Sequence, residues 1–465
     1  MRLIALWLVL LAAYAATLGV PARPGLDYAG SEPHHLLAAE SIVSDHDVDL
    51  RDEYRDRAYA NWYPRELRTD GREVGGRLVE PHGIGFAALI APAYALGGAR
   101  AVQAEMAMLL ALAFVFAAVL ARRMVPEPWA TAGVALAGLS PPALAASTTI
   151  GPGVAAAAAL TGAAVCALTV RERPRLRYVF GGALLLALLP WFGWTFTLPG
   201  IVVAYALVTW TLRERRRLAA VIAGEALSGS LVFYATLNDR FYGGFTPRSA
   251  GTAGSPAFPL GYIERIPRLA SLWLDREFGL LRWAPVFALA LFAGWLLYRS
   301  RRDQLARVAP ARRETEAAAK LALGIVAAQL AVTAFAGMSP LRGAAFPGVA
   351  LIAALPAAGA LTSWGLRHVP RPLAGVLAAI TLGTGAWLVI AGRDGHIAGW
   401  LTVDTQAPWG PIVNVFPHFG GAPLWPALAC ALLLAGLAAL ALREHRAAGE
   451  WRRSVAAART SRALH

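Results

Sequence analysis

The chain has 465 residues, 57% of them hydrophobic and 15% charged, with a mean hydropathy of +0.50 and a net charge of +14. Soluble domains carry about 25% charged residues, so a soluble globular protein is excluded. Apolar stretches of about 20 residues recur along the sequence and describe helices crossing a membrane, without the alternating strands of a barrel. The positive charge does not mark nucleic-acid binding, because the basic residues sit in short loops between apolar runs.

The first apolar run, 2–20, carries only Arg2 ahead of its core and reads as a signal-anchor span in preference to a cleaved leader ending near Ala13-Tyr14-Ala15. Eleven more spans follow at 101–121, 128–146, 153–170, 178–195, 197–212, 218–237, 280–298, 318–336, 343–362, 373–391 and 422–442. The predicted fold is therefore all-α, a polytopic transmembrane helical bundle of about twelve spans. With the N-terminus in the cytoplasm, alternation places 26 of the 43 basic residues inside. Eight of the 17 outside lie in the acid-rich segment 22–81, where carboxylates outnumber them. Both termini are then cytoplasmic. The apolar stretch 83–98 is short, contains Pro92 and has glycines at both ends. A span there would invert every later loop, so an interfacial or re-entrant helix is expected. Cys166 and Cys430 lie in apolar runs and read as small buried hydrophobes.

The segment 22–81 holds 13 of the 29 acidic residues. It opens with Asp27-Tyr28-Ala29-Gly30-Ser31-Glu32-Pro33-His34-His35. Pro33 suits a first helical turn and Ser31 or Glu32 its cap, so a surface helix is expected to start here, its dipole favouring an anion. Glu32 is then either a plain capping carboxylate or an active group. His34 and His35 read as caps, ligands or phosphate donors, without zinc-type spacing. Asp45-His46-Asp47-Val48-Asp49 suits a solvated turn better than a divalent-cation site. Glu80-Pro81-His82-Gly83 places His82 at the membrane boundary, as headgroup contact or anchor.

Asp239-Arg240 starts the second large outer loop, 238–279, and 274–285 re-enters the membrane with Asp275, Arg276, Glu277 and Arg282. Charges so close to lipid need partners or a use. Arg276 and Arg282 are candidates for phosphate, or for structural ion pairs. Arg342 stands alone in a short outer hairpin, suited to bidentate phosphate binding or to snorkelling. A third outer loop, 392–421, is rich in Gly, Pro and Trp.

The order of these motifs resembles the C-type (GT-C) membrane glycosyltransferases that use polyprenyl-phosphate sugars, which include protein O-mannosyltransferases and the lipid A aminoarabinose transferase. The resemblance runs from the first span to about Pro356. It rests on Ser31-Glu32-Pro33-His34, on the acidic turn from Asp45 to Tyr54, on His82, Gly83 and Gly85, on Asp275, Glu277, Phe278, Gly279, Leu280 and Leu281, and on Pro340 and Arg342. One position departs: the first acid of the family's pair, its presumed base, is Ser31 here. Either Glu32 or Asp27 takes its place, or transfer is lost.

The resemblance implies a catalytic module over 1–362, with outer loops 21–100 and 238–279, followed by C-terminal spans and a basic tail over 363–465. It implies a multi-pass protein of the bacterial plasma (inner) membrane that moves a sugar from a polyprenyl-phosphate donor to an extracytoplasmic acceptor. Glu32 or Asp27 would be the base, with His82, Arg282, Arg342, Arg276 and His34 at the donor phosphate and no metal or other cofactor expected. A transporter or lipid flippase is the competing class, because Glu105 and Glu225 touch apolar spans. A catalytically silent relative is the third.

Overall fold

A computed structural model describes residues 1–251, 260–300, 310–336, 346–397, 399–404 and 407–419, with isolated positions between 428 and 439. Seven of its helical segments are long and apolar enough to cross a membrane: Ile84–Ala121, Pro152–Glu172, Trp194–Arg213, Arg217–Ala250, Glu314–Phe335, Val349–His368 and Arg371–Arg393. Shorter apolar helices add Arg2–Ala15, Trp129–Gly138, Leu176–Phe192 and Pro285–Ser300. The protein is an all-α membrane bundle. The predicted span 422–442, the hairpin bearing Pro340 and Arg342, Cys430 and the tail 443–465 lie outside the described residues, save for the isolated positions noted.

In chain order the elements are α1 (Arg2–Ala15), α2 (Glu32–Ser44), α3 (Arg51–Arg55), β1 (Arg72–Val74), β2 (Arg77–Val79), α4 (Ile84–Ala121), α5 (Trp129–Gly138), α6 (Pro141–Ala146), α7 (Pro152–Glu172), α8 (Leu176–Phe192), α9 (Thr197–Arg213) and α10 (Arg217–Tyr242). Then come α11 (Leu260–Ile263), α12 (Arg268–Leu274), α13 (Leu280–Trp283), α14 (Ala288–Ser300), α15 (Pro310–Phe335), α16 (Leu355–His368) and α17 (Arg371–Arg393).

Lipid offers helices no hydrophobic incentive to associate, so close approach of small side chains has to supply packing. The alanine-rich α7 and α16 sit at the centre of the bundle, while α10 and α17 face outward. At the α5–α16 crossing, a methyl group added to Gly133 would lie 2.4 Å from the Ser363 backbone. The Ser363 hydroxyl donates to the Ala130 carbonyl at 2.9 Å across the same seam. The Tyr14 hydroxyl ties α1 to α5 by donating to the Gly138 carbonyl at 2.9 Å.

Several predicted spans are interrupted; 280–298, for one, leaves helical geometry at Ala284 and resumes through a 3-10 turn, Pro285–Phe287. Residues 128–146 do not form one rod: Ser140 is extended and a pair of prolines, Pro141 and Pro142, restarts the chain as α6. Residues 343–362 enter their helix through a 3-10 segment, Val349–Ala354. Where an interfacial or re-entrant helix is expected, the first part of α4 forms a separate helical piece. Gly97 and Gly98 leave helical geometry, with Gly98 at φ 61°, and separate 84–96 from the rod that ends at Ala121.

Candidate active site

The segment between α1 and α4 is folded against the bundle. Helix α2 starts where Pro33 predicts, at Glu32, and packs on α4. Residues 32–37 are all buried. Ser31 occupies the cap position without a side-chain bond. The Glu32 carboxylate reaches back instead: Oε2 accepts the Ala29 amide at 2.9 Å. Its other oxygen, Oε1, accepts the Ile150 amide at 2.8 Å. Ile150 immediately precedes the N-cap of α7, so the carboxylate stands at the positive ends of two helices. Burial outweighs both amide bonds and pushes Glu32 up to about 7.

Asp27, the alternative base, lies apart from that burial. Its Oδ2 accepts Arg100 Nη2 at 3.0 Å, and about half of each side chain is exposed.

The other acids and histidines of the loop converge on Glu80. A hairpin of β1 and β2 turns at Gly75-Gly76, both at positive φ (58° and 77°), and delivers Glu80 beneath α2. The Val74-Gly75-Gly76-Arg77 pattern carries that turn signal openly. Glu80 Oε1 accepts the Tyr54 hydroxyl at 2.5 Å and the Thr69 hydroxyl at 3.1 Å. His34 Nδ1 lies 3.0 Å from both Glu80 oxygens. Burial works against charge on each partner. For His34 the hydrogen bond and attraction of Glu80 prevail, with Asp70 adding, and hold it above the ordinary range; His34 in turn is the main influence keeping Glu80 below its own. Both shifts favour the charged form of each partner.

His82 stacks on His34 with ring centres 5.1 Å apart. The exposed Asp70 carboxylate lies 3.7 Å from His34 Nε2 and 3.8 Å from His82 Nε2. His35 meets His82 and Phe86 edge-on and, buried, stays well below the usual histidine range, hence neutral. His34, Glu80 and His82 place one ligand atom each within 4.8 Å of one another, a spacing a divalent cation could bridge. The direct His34–Glu80 bonds satisfy two of those groups without one. His34 and His82, expected at a donor phosphate, are thus brought together, but among carboxylates. Asp70 was not singled out in the sequence; Thr69-Asp70-Gly71 is a turn signal whose partners are spatial.

Asp47 and Asp49 form the expected turn. Asp47 Oδ1 accepts Ser41 and the Asp49 amide, while Asp49 pairs with Arg51 and caps the Leu78 amide.

The 274–285 motif docks on the third outer loop. The buried Asp275 carboxylate accepts the amides of Glu277, Phe278 and Phe419 at 2.7, 3.2 and 2.8 Å. Arg276 Nη1 donates to Asn414 Oδ1 at 3.0 Å. Arg282 is buried, donates to the Ala407 carbonyl at 2.5 Å and lies over the Trp283 ring at 3.6 Å. Trp283 packs in one cluster with Ala145. The segment 141–150 therefore touches both the Arg282 region and, through Ile150, Glu32.

No protein-family model matches the sequence, and no curated protein matches it. Among solved structures, the chain is similar to ArnT from Cupriavidus metallidurans bound to undecaprenyl phosphate, with a TM-score of 0.51 and 16% identity over 94% of this chain and 71% of that one. The chain shares the fold of that structure. Another structure, the oligosaccharyltransferase of Archaeoglobus fulgidus in the apo form, aligns with a TM-score of 0.48 and 11% identity, over 86% of this chain and 56% of that one. In this fold, Glu32, Asp27, His34, His82, Arg276 and Arg282 all lie in or beside the segments joining the membrane helices.

Proposed function

We propose that the chain transfers a sugar from a polyprenyl-phosphate donor to an acceptor at the extracytoplasmic face of the plasma membrane. The observation that carries this is Glu32: in a GT-C fold, a buried carboxylate stands at the junction of the first outer-loop helix with the N-terminus of α7. The ArnT structure that shares the fold holds undecaprenyl phosphate, which supports a lipid-phosphate donor here.

In the proposed reaction the acceptor hydroxyl or amine gives its proton to the Glu32 carboxylate as it attacks the anomeric carbon. The bond to the lipid phosphate breaks, its electron pair leaves with the phosphate oxygen, and the configuration at carbon inverts. Cations stabilise that departing charge. Arg282 is the first choice, because its burial strengthens any charge interaction it makes, with Arg276, Arg342, His82 and His34 as the other expected groups. We keep 1–362 as the catalytic module, 363–465 as C-terminal spans and tail, and both termini in the cytoplasm.

The test incubates purified protein with a panel of polyprenyl-phosphate sugars and measures free lipid phosphate. Release that disappears in Glu32→Gln, with the fold retained, supports the assignment. Release that survives the substitution removes Glu32 from the chemistry and leaves it as the clasp between α2 and α7. Absence of release with every donor favours the silent relative, in which the two amide bonds to Glu32 are its whole role.

A further inference from the structure

A groove of about 390 Å³ opens at the other end of the bundle, lined by Arg171, Trp210, Arg213, Glu316 and Lys320 at its mouth and by Val202, Tyr205, Ala206, Ala317 and Leu321 behind. It lies between α7, α9 and α15. Arg171 is in the last turn of α7, whose N-terminus receives Glu32. Twenty-one residues separate those ends, about 30 Å at 1.5 Å per residue, which is the thickness of a bilayer core. The groove is thus on the opposite face from the proposed transfer site.

Its character changes along its length. Arg213 ends α9, and Trp210, Ala206 and Val202 follow successive turns inward along that helix. Leu198, Ile201, Tyr205 and Leu212 of α9 are exposed apolar side chains, so this helix faces lipid and the groove opens sideways into the bilayer. Three cations at the mouth face a single lining carboxylate. Glu316 accepts Lys320 at 3.3 Å and also Ser300 at 3.2 Å. Arg171 lies over the Trp210 ring at 5.8 Å. The neighbouring Glu172 is taken by Arg123 at 2.6 Å. A cationic mouth with an aromatic at headgroup depth, leading into an apolar channel between spans, matches the chemistry of a phosphate with a hydrocarbon tail.

We propose that this groove binds one acidic phospholipid, its phosphate between Arg171, Arg213 and Lys320 and one acyl chain along Val202, Ala206 and Leu321. The site is independent of the proposed reaction and, in the orientation set by the arginine-rich loops, faces the cytoplasmic leaflet.

The test titrates delipidated full-length protein in detergent, by native mass spectrometry, with dioleoylphosphatidylglycerol, dioleoylphosphatidylcholine and inorganic phosphate. The wild type is expected to hold one phosphatidylglycerol in clear preference to phosphatidylcholine. R171Q/R213Q is expected to bind it about thirty-fold more weakly, each cation near a lipid surface being worth about five-fold. The control R216Q/R217Q, an equal charge change on exposed residues outside the groove, should lose less than about five-fold in all. If R171Q/R213Q does not fold, R213Q/K320Q, on two exposed side chains, carries the same expectation. Equal binding of the two lipids, equal loss in the control, or retention of phosphatidylglycerol by the groove variants overturns the proposal. Inorganic phosphate binding as tightly as the lipid would reassign the mouth to a free anion and overturn it too.

Discussion

The Ile150 amide donates to the Glu32 carboxylate at 2.8 Å, across 118 residues of sequence. This bond ties the start of α2 to the start of α7, one of the two most buried spans. A group so placed serves two ends, since moving it shifts α2 against α7 and neutralising it removes the proposed base. Glu32→Gln keeps the volume and one acceptor oxygen, so the fold is expected to survive while transfer falls by about 100-fold or more. The check is lipid-phosphate release alongside a thermal melt. Asp27→Asn breaks only an exposed pair with Arg100 and is expected to cost under about 1 kcal/mol and leave turnover near wild type. A loss as deep as that of Glu32→Gln would move the base to Asp27.

The pH dependence follows from burial of Glu32. Its pKa in the folded chain is raised to about 7, above that of the unfolded carboxyl. A base must be ionised, so turnover is expected to rise with pH and level off above about 7. Stability runs the other way: the neutral form is favoured in the fold, so this group's contribution is complete below the unfolded pKa and is lost as pH rises through about 7. Measuring rate and melting temperature between pH 5 and 8 in wild type and Glu32→Gln separates the two, because both trends should flatten in the variant.

The buried His34–Glu80 pair also supports the fold. Glu80→Gln removes the carboxylate that His34 faces, and breaking a buried ion pair costs about 3–5 kcal/mol. Replacing both residues should be less damaging than the sum of single changes, which a double-mutant cycle in melting experiments would detect. Additive effects would show that the pair is not coupled.

Because His34 and Glu80 bond each other directly, chelator treatment is expected to leave the melting temperature and the transfer rate unchanged. A drop restored by zinc or manganese but not by buffer would place a cation among His34, Glu80 and His82.

Asp275 holds the segment near Phe419 through one oxygen and its own turn through the other. Asp275→Ala leaves three amides without their acceptor, at about 1–3 kcal/mol for each that stays buried. Faster proteolysis within 399–419 is the expected result. An unchanged cleavage pattern would mean that Arg276 and Arg282 hold that segment without it.

Residues with local causes were legible in the sequence. Pro33 fixes where α2 begins, Gly97 and Gly98 mark where the first piece of α4 stops, and Val74-Gly75-Gly76-Arg77 carries a hairpin turn that only needed counting. Partnerships of the polar residues were not legible. Arg282 reaches Ala407 across 125 positions and His34 reaches Glu80 across 46. Neither spacing has a period, because such pairs form where separate segments are folded together.

The sequence by itself determined that this is a helical membrane protein with an acid-rich segment between its first two predicted spans. Lipid demands runs of about 20 apolar residues with their backbone groups bonded internally, and that demand is written locally. Only the tertiary structure decided that Glu32 is buried against Ile150 while Asp27 remains in water, and that His34 faces Glu80. Burial and charge pairing depend on which distant segments pack together, and packing between helices in lipid rests on shape and small side chains, which leave no periodic mark.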